Sequence, residues 1–163
     1  MNERTLDDLV DQARLDPLRR ARVLASVVPG LTIRETLVEA PFEAVWGMAA
    51  DLERELPEFA GWAARRATIT DRDGERLTLR VTGPLGLTDD FATVLRPGWC
   101  WMQGRFLGVG IAAVPEGDQT RFAYLGGLRI PGRTATTGPV GWQVGRALRR
   151  LRRAAGAGSA TLN

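Results

Sequence analysis

Apolar positions along this chain recur with two periods, and the changeovers divide it into elements. Leu6, Leu9, Val10 and Ala13 are spaced three and four apart, as on one face of a helix. Thr5-Leu-Asp-Asp8 in front of them has the form of a capping box, with Asp in the place of Glu or Gln. Asp16-Pro17 ends that helix and starts another, lined by Leu18, Ala21, Leu24, Ala25 and Val28 and stopped by Pro29-Gly30. Thr32 to Glu39 then alternates, Ile33, Glu35 and Leu37 against Arg34, Thr36 and Val38, with the polar mixture of an edge strand. Ala40-Pro41 breaks this strand. Two short helices meeting at a bend fit residues 41–62.

From Ala63 the period is two. Strands are expected at Arg65–Thr70, Glu75–Thr82, Leu87–Leu95, Trp99–Arg105, Gly108–Val114 and Thr120–Leu128. Asp71-Arg-Asp-Gly74, Gly83-Pro-Leu-Gly86, Arg96-Pro-Gly98 and Pro115-Glu-Gly-Asp118 supply the turns between them. The period then returns to that of a helix. Val140, Val144, Leu148 and Leu151 form a narrow stripe from Gly138 to Ala155, with Pro139 suited to its first turn and Gly156 to its stop. Gly141 and Gly145 thin that face, so this helix packs closely on a sheet or leaves a gap beside it. Strands segregated from helices predict an α+β domain whose antiparallel sheet wraps the last helix.

The apolar fraction of 44% is enough to build a core in one domain of 163 residues. No run of apolar residues approaches a membrane span and no leader precedes the first helix, which points to a cytoplasmic protein. The absences are chemically sharper. There is no histidine, every basic residue is arginine, and Cys100 is the single cysteine. Histidine triads, histidine or cysteine metal clusters, Schiff bases and phosphate-loop lysines are excluded, and no metal or cofactor is expected. Proton transfer is left to carboxylates, to the lone Tyr124, to arginine-held water or to the substrate itself. Charge is uneven: from Leu128 onward there are seven arginines and no acid, against fifteen arginines and nineteen acids before it. Arg146, Arg149, Arg150, Arg152 and Arg153 lie away from the apolar stripe, either as a solvated face or as a site for an anionic partner. With no nucleic-acid motif beside them, nucleic acid is not the expected partner.

At Leu37-Val-Glu-Ala-Pro-Phe-Glu-Ala-Val-Trp46, followed by Asp51, the sequence resembles the polyketide cyclase and START-like superfamily known as SRPBCC. Glu116-Gly-Asp-Gln-Thr-Arg-Phe122 is similar to that family's entry to its last strand. The resemblance covers about residues 32–155. It implies a helix-grip fold, a seven-stranded antiparallel sheet around a long C-terminal helix with two short helices after the first strand, and a cavity for a hydrophobic ligand between sheet and helix. It implies polyketide cyclase or aromatase-like chemistry in bacterial natural-product biosynthesis, or a non-catalytic lipid or small-molecule carrier or sensor. An interaction module working through the basic helix is the third reading. For a cyclase, which meets its chain while it is tethered, the resemblance implies an acidic carrier protein as the anionic partner of that helix.

The chain divides accordingly into a helical arm at 1–30, a ligand-binding domain at 31–156 and a disordered tail at 157–163. The arm would pack on the domain or on a second copy. Trp99, Trp101, Gln103 and Arg105 share one strand face, and Phe122 and Tyr124 share another. Trp101, Gln103, Phe122 and Tyr124 are expected to point between sheet and helix, with Arg105 and Trp142 also at the ligand; the same rings would equally fill a core. Tyr124, Arg80 and Asp90 are the candidate catalytic groups, the arginine as a holder of a carbonyl or enolate oxygen; Tyr124 could equally be a satisfied core group, and the outer face of a twisted sheet is the other place for Arg80 and Asp90. Gly83–Gly86 and the run Leu125–Arg133 would form the mouth.

Overall fold

The computed structural model describes residues 16–60 and 64–128, together with Arg153. The element order is α1 (Pro17–Val27), β1 (Thr32–Val38), α2 (Phe42–Ala49), α3 (Leu52–Ala60), then β2 (Arg66–Asp73), β3 (Arg76–Thr82), β4 (Thr88–Arg96), β5 (Trp99–Gln103), β6 (Leu107–Glu116) and β7 (Gln119–Leu128). A 3-10 turn, Pro84–Gly86, joins β3 to β4. The seven strands make one antiparallel sheet in the order β1-β7-β6-β5-β4-β3-β2. This is the α+β architecture the periodicity predicts. The expected helix at 6–13, the tail and the long helix at 138–155 lie outside the described residues, except Arg153, which is exposed.

The local signals act as their chemistry requires. Asp16 Oδ1 accepts from the backbone N–H groups of Leu18 and Arg19, capping α1, and Pro17 sits in the first turn. The β2–β3 hairpin is longer than Asp71–Gly74 implies, because β2 continues to Asp73. Gly74, at φ 58°, closes a tighter turn there, and a bulge between Ile69 and Asp71 absorbs the register. Gly98, at φ 76°, turns β4 into β5 with Ala113 O only 2.7 Å from where a Cβ would be.

Both faces of the sheet are covered. On one, Val45, Ala49 and Leu52 of α2 and α3 pack with Val38, Leu77, Leu79, Val81, Phe91, Cys100, Met102, Val109, Ile111, Ala113 and Phe122. On the other, Leu18, Ala21 and Leu24 of α1 pack with Trp99, Ala112, Ala123 and Leu125. Alanines at 21, 112 and 123 let helix and sheet approach closely over Trp99, which is 1% exposed. Each large side chain so buried contributes about 1.5–3 kcal/mol. The bidentate pair Arg22–Glu35, at 2.7 and 2.8 Å, fixes α1 against β1. The second half of the expected arm thus packs on its own domain.

Candidate functional site

The inner face of the sheet, the one carrying α2 and α3, is built by strand parity. Paired residues of antiparallel strands share a face, so the register arranges Arg34, Tyr124, Ile111, Cys100 and Leu95 in one row across five strands. Thr36, Phe122 and Ala113 form the neighbouring row. The surroundings are apolar: Phe42, Trp46, Met48 and Leu56 reach this core from the two helices, with Phe42 and Trp46 stacked in parallel planes.

Tyr124 is half-buried against this core, and burial pushes its hydroxyl well above the ordinary tyrosine range. Across the neutral range it therefore remains protonated, a hydrogen-bond donor and not a base. The other polar groups here divide into two kinds. Thr93 and Thr120 are buried and donate to backbone, Thr93 to Phe91 O and Thr120 to Ala40 O at 2.8 Å. Arg34, across from Tyr124, is exposed at the end of the row. The reading of candidate residues passed over Arg34 and Thr36. The alternation of β1 already separates them from Ile33 and Glu35, and only the β1–β7 register shows that they join Tyr124.

The candidate residues do not gather in one place. Phe122 and Tyr124 are on the inner face. Trp101 and Gln103 are on the opposite face, a correction of the expectation that all four point the same way. Trp101 packs with the α1 cluster, and its ring lies over Gly108 and Gly110, whose missing side chains leave the room. Cys100 and Met102, of the other parity, take the inner face instead. Arg80 and Asp90 also lie on the outer side, exposed and bound to each other by two hydrogen bonds of 2.8 Å. The hydrogen bonds between them, and to a lesser degree each partner's charge, favour the ionised forms, with Asp90 below and Arg80 above its usual range. The inner positions beside them are taken by Leu79 and Phe91. Arg105 sits in the β5–β6 turn, its guanidinium 5.2 Å above the exposed Phe106 ring. Trp142 lies outside the described residues.

Gly83–Gly86 and the end of β7 do occupy one end of the sheet, since β4 starts and β5 and β7 end there. Among the described residues no three acidic or cysteine side chains gather as a metal site would need, and no helix is long and apolar enough to cross a membrane.

No protein-family model matches the chain, and no curated protein sequence does. Solved structures do match. Truncated norcoclaurine synthase from Thalictrum flavum superposes with a TM-score of 0.53 at 17% identity, over 76% of this chain and 94% of its own. A START superfamily protein from Mycobacterium smegmatis gives 0.51 at 17%, over 78% and 97%. XoxI from Bacillus cereus gives 0.57 at 14%, over 77% and 94%. The strand order, the two helices after β1 and these superpositions lead to one conclusion: the chain has the SRPBCC, or START-like, fold.

Proposed function

We propose that the protein holds a small hydrophobic molecule against the inner face of its sheet, with Tyr124 as the polar group that orients it. The observation that carries this reading is the Tyr124 row: a phenol hydroxyl, half-buried and kept protonated, beside Ile111 and Cys100, with Phe122 in the next row and the α2 aromatics packed on the same core. One convergent donor in an apolar setting is how small-molecule sites combine affinity with orientation. Norcoclaurine synthase, of similar fold, is described in complex with dopamine and hydroxybenzaldehyde, so a ring-sized organic ligand suits such a sheet.

Within this reading the finer role is that of a cyclase or aromatase-like protein acting on a polyketide-type chain. The apolar face folds the chain, and proximity supplies much of the rate. The Tyr124 hydroxyl donates to a carbonyl oxygen of the chain, orienting and polarising it. A carrier or sensor would use the same face without chemistry.

Native mass spectrometry of freshly purified protein tests the binding claim. An adduct of a few hundred daltons, lost on denaturation and weakened in Tyr124→Phe, is expected. Protein that carries no adduct and neither binds nor turns over aromatic polyketide analogues would end this reading.

A further inference from the structure

Three large apolar side chains stand in solvent at one end of the sheet. Leu85 is 94% exposed, Leu87 71% and Phe106 53%. They come from two turns that are neighbours in space. β4 pairs with both β3 and β5, so the 83–87 turn and the 104–106 turn flank its first residues, and the Arg105 N–H donates to Asp89 Oδ2 at 3.0 Å. Leu85 also has φ 61°, a left-handed backbone that disfavours any residue with a Cβ, and Gly86 follows it at φ 73°. The chain thus accepts strain to turn out a leucine that, among the described residues, stands almost fully in solvent.

The charges on these strand ends are mostly of one sign. Arg65 donates its N–H to Thr82 O, and Arg66 pairs with Thr82, which brings both exposed arginines beside the 83–87 turn. Arg105 lies against the Phe106 ring. Of the acids on the same strand ends, Asp90 is paired with Arg80, while Asp89 accepts the Arg105 N–H and keeps its charge, so Arg65, Arg66 and Arg105 still outnumber the unpaired acid there.

We propose that this end of the sheet docks on an anionic lipid surface. Leu85, Leu87 and Phe106 enter the headgroup layer, and Arg65, Arg66 and Arg105 face the lipid phosphates. Separate projecting side chains ringed by arginine suit an interface that closes around each of them. A protein partner would instead need a broad contiguous patch, roughly 800 Å² on this side. The inference stands whether or not the inner face holds a ligand.

Co-sedimentation with phosphatidylglycerol/phosphatidylcholine vesicles, against pure phosphatidylcholine, tests it. The protein should pellet with the anionic vesicles and much less with the neutral ones, and added salt should release it. Leu85→Ser combined with Leu87→Ser should lower the partition coefficient by about tenfold or more. Arg65→Glu with Arg105→Glu should remove the preference for anionic lipid. Cys100 is buried, so Leu87→Cys takes a polarity-sensitive thiol dye at that site alone, and its emission should shift to the blue on anionic vesicles. Equal pelleting with both vesicle types, undiminished binding by the double serine variant, or an unshifted dye would overturn the proposal. Undiminished binding would transfer the contact to another part of the chain, and binding only to a protein would leave the vesicles bare.

Discussion

Arg20 lies over the ring of Trp99, its guanidinium carbon 5.2 Å from the ring centroid. Both residues are buried, so a helix at the start of the chain and a strand in the middle of the sheet share one desolvated contact. A cation over an indole is worth more away from water, about 2 kcal/mol. The arginine stem also covers apolar surface. Arg20→Ala should therefore lower the unfolding free energy in urea by about 2 kcal/mol and shift tryptophan emission to the red as Trp99 becomes wetted.

Trp101 depends on the glycines beneath it. A Cβ at Gly110 would stand 2.9 Å from Trp101 Cε3 and 3.1 Å from Leu125 Cδ1. Gly110→Val should destabilise the protein by about 1–3 kcal/mol, read as a lower urea midpoint at unchanged slope. Gly117→Ala, where a Cβ meets nothing within 4 Å but φ is 62°, should cost no more than about 1–2 kcal/mol, from backbone strain alone.

The division of the candidate residues between two faces has a direct test. Tyr124→Phe should change ligand affinity or turnover by roughly tenfold, the loss of one hydrogen bond in an apolar setting, with little change in the melting temperature. Arg80→Ala and Asp90→Ala should leave ligand handling at the wild-type level, because the two side chains occupy each other on the far face. A ligand defect in Arg80→Ala comparable to that of Tyr124→Phe would contradict this arrangement.

Alkaline pH should unfold the protein through groups that burial keeps protonated. The Cys100 thiol is pushed up from 9.0 to about 12 by burial, while in the unfolded chain it ionises at its ordinary value. The unfolded state releases its proton first, so the stability is intact below pH 9.0 and declines as pH rises toward 12, by up to about 1.4 kcal/mol per pH unit. Tyr124 adds to the decline above its ordinary 10.0. Urea midpoints measured across this range should fall less steeply in Cys100→Ala. The native protein should resist thiol reagents until it is denatured.

Most of the architecture was legible in the chain because its turns carry their own chemistry. Asp16-Pro17, Pro97-Gly98 and Gly117 mark boundaries by hydrogen bonding or backbone freedom alone. Which residues of a strand share a face was legible from the alternation, but which of the two faces turns inward was not. In β1 the split of Ile33 and Glu35 from Arg34, Thr36 and Val38 survives in the structure. In β5 it does not help, because α1 makes the outer face apolar too, and Trp-Cys-Trp-Met reads the same from either side. Bulk pointed to Trp99 and Trp101 as cavity walls, whereas the smaller Cys100 and Met102 line the inner face. Arg80 and Asp90 stand out in the sequence only as polar strand residues, for which the outer face of a twisted sheet is the alternative to a site, and only register shows that they pair with one another in solvent. Arg34 required the pairing of the first strand with the last, which no local pattern contains.

That pairing also constrains how the protein is made. Among the described strands β1 has one neighbour in the sheet, and it is β7: Thr32 Oγ1 donates to Gly126 O across 94 positions, and Thr120 to Ala40 O across 80. During synthesis, β1 must wait for its pairing until β7 has left the ribosome. The β2-to-β6 meander can zip from local hairpins in the meantime, while the backbone edge of β6 stays open. Non-local closure of this kind is slow, and the waiting state is where self-association competes with folding. Expression of chains ending before residue 119 should yield that state as an aggregating species, and the full chain should escape it in the step that brings its first strand to its last.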